Sequence, residues 1–298
     1  MSRYDISQFS RRHVLSGIGV AALLPMLPAM SSAQDASSRA TESAAPGVPS
    51  MAGGAPGSQL PLKTTGLEHM GTVVPDVATA GKFYGRLFNP ELYKEKEPPL
   101  RYYVTLGVGY LALGSRANEP RAFFDHFCAL VQDYSAPAMA EELKAAALPA
   151  GKFGIIPDPD GIGFQLLAVP GGLAKSTEPA GRIVEGDALV HPLGLSEVVL
   201  HVPDIDKSLA FYRKFFGKEA GKSKREAWFD VASTRLRLET AEPGEAPRVN
   251  RIVVKVQKFD RKSVSAELEK LGATIEKGGK SGLRFRDPNG LGLELVAV

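Results

Sequence analysis

Six polar side chains interrupt otherwise apolar, strand-like runs: His69, His126 and Gln165 in the first half, and Glu197, Arg251 and Glu294 in the second. Neutral imidazoles and an amide can hold a divalent cation or hydrogen-bond an organic ligand. Carboxylates and guanidiniums neutralise one another instead, and arginine suits bidentate pairing. The two sets occupy corresponding places. "LEHMGTVVPDVATAGKFYGRLFN" (67–89) aligns without a gap on "LSEVVLHVPDIDKSLAFYRKFFG" (195–217), which sets His69 against Glu197. "DPDGIGFQL" (158–166) recurs as "DPNGLGLEL" (287–295), which sets Gln165 against Glu294. No nucleophile elbow, phosphate loop or Cys-x-x-Cys pair is present to suggest other chemistry.

The elements that must position these residues form a repeat within the repeat. "FDHFCALVQDYSAPAMAEELKAAAL" (124–148) reads as a strand followed by a helix, and "VNRIVVKVQKFDRKSVSAELEKLGA" (249–273) is its counterpart, with Gly272 as a stop signal. "RYYVTLGVGYLALGS" (101–115) and "EAWFDVASTRLRLET" (226–240) read as short alternating strands. The chain therefore predicts four units of strand, helix and two or three strands, each about 50 residues long. Phe83-Tyr84 and Phe211-Tyr212 lie on helices and pack on a sheet, with the hydroxyls reaching a polar edge. His191 in a loop and His201 on a strand lack a second histidine at ligand spacing and read as structural.

This arrangement resembles the vicinal oxygen chelate superfamily of glyoxalases, extradiol dioxygenases and bleomycin-resistance proteins. The marks are "LEHMGTVVPD" with "FYGRLF", "FDHFCALVQD", "HVPDIDKSLAFYRKFFG" and the two Asp-Pro-x-Gly turns, over residues 65–298. The resemblance implies an α+β fold: four βαβββ modules paired into two cup-shaped mixed sheets, with a divalent metal in a cup. The expected domains are 65–169 and 193–298, separated by a linker at 170–192.

Family correspondence puts His69, Ala112, His126 and Gln165 inside the first cup. His69, His126 and Gln165 then form a metal set for Fe, Mn, Ni or Zn in which glutamine replaces the usual carboxylate. Tyr103, Tyr110 and Cys128 share that cup. The tyrosines can approach a substrate as proton donor or acceptor, or pack in the core; Cys128 is a soft ligand or buried packing. In the second cup Glu197, Arg237, Arg251 and Glu294 are expected to neutralise one another, with Arg251 balancing Glu294. The resemblance implies either a metal-dependent lyase, isomerase or dioxygenase acting on a small oxygen-chelating substrate, or a metal-free protein that sequesters a small molecule. An accessory protein with two vestigial cups is the third reading.

Composition bounds the partners. Of 298 residues 44% are hydrophobic and 23% charged, enough for a sizeable core. Arg11-Arg12 precede an apolar run from Val14 to Met30 and the small residues "SSA" (31–33), which predicts a twin-arginine-type signal peptide at 1–33 and a periplasmic or secreted protein. Residues 34–64 read as a flexible linker. Removing 1–33 takes three Arg and one Asp from 36 basic and 33 acidic residues, leaving 33 and 32. The mature chain thus offers no charge run for nucleic acid and no segment for a membrane, and is expected to be a monomer or homodimer. A single cysteine cannot form an internal disulfide.

Overall fold

The computed structural model describes residues 58–149, 151, 154–277 and 282–298; the expected signal peptide and most of the linker at 34–64 lie outside them. The first module runs β1 (Thr64–Val73), α1 (Val77–Leu87), β2 (Glu91–Glu95), β3 (Tyr102–Thr105) and β4 (Tyr110–Gly114). The second runs β5 (Phe123–Val131), α2 (Ala136–Ala145), β6 (Ile155–Pro157) and β7 (Gly163–Ala168), with two strands after its helix among the described residues. A further strand, β8 (Thr177–Arg182), follows. The third module is β9 (Pro192–Val202), α3 (Ile205–Phe216), β10 (Gly221–Lys222), β11 (Glu226–Val231) and β12 (Thr234–Thr240). The fourth is β13 (Arg248–Val256), α4 (Arg261–Lys270), β14 (Thr274–Ile275), β15 (Gly282–Arg286) and β16 (Gly292–Ala297).

These strands form two mixed eight-stranded sheets, in the orders β6-β7-β5-β1-β4-β3-β2-β8 and β10-β11-β12-β9-β13-β16-β15-β14. Within every module the first strand runs parallel to the last, as β1 with β4, β5 with β7, β9 with β12 and β13 with β16. Parallel neighbours need a crossover, which the helix supplies. The first strands of paired modules meet antiparallel at the middle of each sheet, β1 on β5 and β9 on β13. Pairing is therefore within the chain. The stretch 170–192, expected to be a linker, instead contributes β8 to the free edge of β2.

Helix boundaries follow from local chemistry. Asp76 caps α1 by accepting the Thr79 N–H, and Asp204 caps α3 by accepting from Asp206 and Lys207. Val77, Ala80, Tyr84 and Leu87 form the buried stripe of α1, at the spacing of an apolar helix face. One cluster of buried side chains spans both halves.

Two reciprocal contacts tie the halves together. The fully buried Tyr84 of α1 donates its hydroxyl to Asp287 in the second half's Asp-Pro-x-Gly turn, at 2.9 Å. Tyr212 of α3 does the same to Asp158 in the first half's turn, also at 2.9 Å. The other oxygen of each aspartate closes its own turn. Asp158 Oδ1 accepts the N–H groups of Asp160 and Ile162, and Asp287 Oδ1 those of Asn289 and Leu291. The "FY" and "DPxG" motifs, read separately in the sequence, thus mate across the molecule. Burial pushes both carboxyls above the usual aspartate range, against the pull of these donors.

Candidate metal centre

The middle strands of the first sheet carry the polar cluster, and two irregularities aim it. Leu67 pairs with Ala129 and Met70 with Phe127, so β1 has one extra residue at Glu68–His69. Gly71 pairs with His126 and Thr72 with Phe124, so β5 has one extra at Asp125. An extra residue breaks the alternation that would put neighbours on opposite faces. Each histidine thereby meets the acid that precedes it. His69 Nδ1 lies 3.0 Å from Glu68 Oε2, and His126 Nδ1 lies 3.0 Å from Asp125 Oδ2. A carboxylate on Nδ1 orients the ring and favours that nitrogen as the donor.

His69 is buried, and its Nε2 lies 3.0 Å from Gln165 Oε1 on β7. Tyr110 stacks on the His69 ring at 4.5 Å and 10°, and the His126 ring meets it edge-on at 5.6 Å. Gly71 sits under the His126 imidazole: a Cβ there would fall 2.1 Å from Cε1, so only glycine leaves room for the ring. Ala112 on β4 pairs with Gly71 on β1 and with Tyr103 on β3. Cys128 lies beside Gln165 in register and is fully buried. The first-cup residues singled out in the sequence are therefore neighbours, His69, His126 and Gln165 among them.

Glu68 was not singled out. Its carboxylate is buried, with Oε2 on His69 and Oε1 accepting the Gly172 N–H at 2.5 Å. The loop after β7 closes over it so tightly that a Cβ at Gly171 would lie 2.2 Å from Oε1. Strand alternation assigns Glu68 to the face opposite His69, and the extra residue in β1 reverses this.

Electrostatics separate the roles. Burial lowers the His126 pKa, partly offset by Asp125, so the ring is favoured in its neutral, ligating form. The hydrogen bond from His126 holds Asp125 below the usual carboxylate range despite burial. Burial pushes the Tyr110 and Tyr103 hydroxyls upward, the latter helped by its hydrogen bond to Glu95. Both tyrosines stay protonated at neutral pH and can donate hydrogen bonds, not act as bases.

The second cup is filled by its own side chains. Arg237 bonds Glu197 and, at 2.7 Å, Glu226. The buried Arg251 reaches both oxygens of Glu239 at 3.0 and 2.8 Å. The expected ion pair between Arg251 and Glu294 is present, with Nε 3.5 Å from the carboxylate but not hydrogen-bonded, and Arg284 on the adjoining strand is a second and nearer partner that bonds Glu294 at 2.7 Å. Arg284 pairs directly with Glu294 in strand register, so it reaches the carboxylate first. His201 bridges Glu239 and Glu245 at 3.3 and 3.1 Å, a structural place. His191 is exposed in its loop.

Comparison with known proteins bears on both cups. Residues 194–295 match the sequence profile of the Glyoxalase/Bleomycin resistance protein/Dioxygenase superfamily. The whole paired-module arrangement recurs in solved structures. The fold is that of the glyoxalases and extradiol dioxygenases. A catechol 2,3-dioxygenase superposes with a TM-score of 0.60 at 14% identity, over 80% of this chain and 89% of that one. The Mn(II)-bound glyoxalase of Novosphingobium aromaticivorans gives 0.58 at 16% identity, over 79% and 83%. Homoprotocatechuate 2,3-dioxygenase of Arthrobacter globiformis gives 0.58 at 17%, over 81% of each chain. No curated protein sequence matches the chain. The profile falls on the half whose cup is closed by ion pairs; the half with the histidines shares the glyoxalase/dioxygenase fold through its sheet and its internal likeness to the other.

Proposed function

We propose that the first cup holds a divalent transition metal through His69, His126 and Gln165, and that the protein acts on a small molecule with two adjacent oxygen atoms. The observation that carries this reading is the pair of anchored histidines. Two rings in one cup each give Nδ1 to a buried or half-buried carboxylate, and metal-binding histidines have that support. Gly71 supports the reading as well, because its missing Cβ leaves room for the His126 ring. Bound there, a divalent ion would supply Lewis acidity toward adjacent substrate oxygens, the chemistry shared by glyoxalase-type isomerisation and lyase reactions and by ring-cleaving oxygenation.

The chain's own residues do the rest. Glu68 and Asp125 hold the ring protons in place, and Tyr110 stops the His69 ring from turning. Tyr110 offers its hydroxyl proton to a bound substrate, whereas that of Tyr103 is donated to Glu95. The mature protein works outside the cytoplasm, in the periplasm or beyond, after cleavage near residue 33; the N-terminus of the exported form tests this. The alternative is a metal-free pocket for a small molecule, favoured by the direct 3.0 Å contact of His69 with Gln165.

Metal analysis of protein purified from its native compartment decides between them. A near-stoichiometric metal is expected, lost in His69→Ala and in His126→Ala and kept in Glu197→Gln. Metal retained by both histidine variants refutes the donor set. A protein that stays empty after incubation with iron, manganese, nickel and zinc favours sequestration.

A further inference from the structure

We infer that the floor of the first cup offers a second, thiolate-containing donor set, Glu68–His69–Cys128, which takes a borderline-soft divalent ion of the zinc type in place of the His69–His126–Gln165 set. The proposal deepens the metal-centre reading and rests on the same cup. Both donor sets draw on His69, and only this one contains sulfur.

Three observations converge. First, ligand-capable atoms of Glu68, His69 and Cys128 all lie within 4.8 Å of one another, and all three residues are buried. Zinc bonds of about 2.0–2.3 Å place tetrahedral ligands roughly 3.3–3.8 Å apart, so modest side-chain rotation closes the cluster on an ion. Second, Glu68 is a buried carboxylate with no Lys or Arg in ion-pair range among the described residues; His69 is its one ionisable partner. A buried carboxylate compensated only by His69 and the Gly172 N–H is costly, and a cation beside it offsets the cost. Third, the Cys128 thiol is fully buried in a polar corner, with a long 3.6 Å contact to the Ala129 carbonyl. Ion binding would deprotonate that thiol and place its charge against the metal.

The charge balance explains the departure at Gln165. With glutamine there, an ion held by His69, His126 and Gln165 meets no anionic ligand. The anion missing from β7 is present on β1 as Glu68, joined by the thiolate of Cys128. Nitrogen, oxygen and sulfur together suit zinc over manganese or magnesium, because a thiolate discriminates against hard ions.

Cobalt(II) is the probe, since it substitutes for zinc and absorbs visible light. The full chain is titrated with cobalt(II) alone, and spectra are compared for wild type, Cys128→Ser and Glu68→Gln. The expected result is a thiolate-to-cobalt charge-transfer band in the near ultraviolet, absent from Cys128→Ser and weakened by Glu68→Gln at equal cobalt. X-ray absorption on the zinc-loaded wild type needs no variant and should show a sulfur shell near about 2.3 Å. Cobalt bound with no charge-transfer band, or zinc with only nitrogen and oxygen neighbours, overturns the thiolate site and leaves the His69–His126–Gln165 set standing. Cobalt and zinc both failing to bind overturns the thiolate site, while the metal-centre reading falls only if iron, manganese and nickel also fail.

Discussion

Removing one hydroxyl at the seam between the halves should cost more than most single-atom changes. In Tyr212→Phe the ring, and hence the packing of α3, is retained. What is lost is one hydrogen bond of 2.9 Å to Asp158, whose side chain is buried and otherwise held by two backbone N–H groups at 2.9 and 2.8 Å. A hydrogen bond to a charged group contributes about 1.5–3 kcal/mol, and its loss inside the protein leaves a carboxylate oxygen unpaired. For a protein of this size each kcal/mol moves the melting temperature by about 2–4 °C. The expected fall is thus roughly 3–12 °C at neutral pH. Tyr84→Phe should match it through Asp287. The effect has a sign in pH. The tyrosine favours the charged aspartate, so the penalty is largest where the carboxyl is ionised and shrinks as pH falls through the carboxylate range. Calorimetry of both variants and of the double variant, at neutral and acid pH, is the assay. Losses below about 0.5 kcal/mol in both single variants, within the range of ordinary surface changes, would refute the claim that these contacts lock the halves.

Gly71→Ala should displace the His126 ring, because the new methyl would lie 2.1 Å from Cε1; overpacking of about 1–3 kcal/mol and a fall in bound metal are expected, and unchanged metal content with an unchanged melting point argues against the site. Glu239 sets an acid limit on stability. Burial opposes its charge, but hydrogen bonds from His201 and Arg251 outweigh burial and hold its carboxyl well below the usual range. A lowered folded value means that this stability is present above the unfolded pKa, about 4.3, and is lost as pH falls below it. Denaturant melts over a pH series should show that loss. In Glu239→Gln the acid slope should flatten, while stability at neutral pH drops by on the order of 3 kcal/mol because the buried Arg251 loses its hydrogen-bonded carboxylate; an unaltered slope contradicts the assignment.

The modular fold is legible because its signals are local. Caps such as Asp76 and Asp204, helical stripes and the Asp-Pro-x-Gly turns all lie within a few residues of the feature they specify. The inward histidines are legible because each is a polar residue in an apolar strand. Glu68 is hidden by strand irregularity: simple alternation turns it away from His69, and only the pairing of β1 with β5 shows the extra residue that turns it back. Arg284 as the nearer partner of Glu294 is hidden for a related reason, since strand register decides which of two arginines comes nearer. The strand β8 has no alternation in "TEPAGR" and is defined by the edge it joins. The Tyr–Asp contacts join positions 203 and 54 residues apart in sequence, and no local pattern announces them.

The filled second cup resists conversion by single steps. Arg251, Glu239, Glu294 and Arg284 hold one another in place, so replacing any one of them strands a charge in a poorly hydrated pocket and weakens the fold before any new ligand can compensate. Reopening that cup requires an acid and a base to change together. Drift or a designer making one substitution at a time will find the first cup adaptable and the second one closed. The duplicated architecture leaves one copy free to vary its chemistry while the other serves as its foundation.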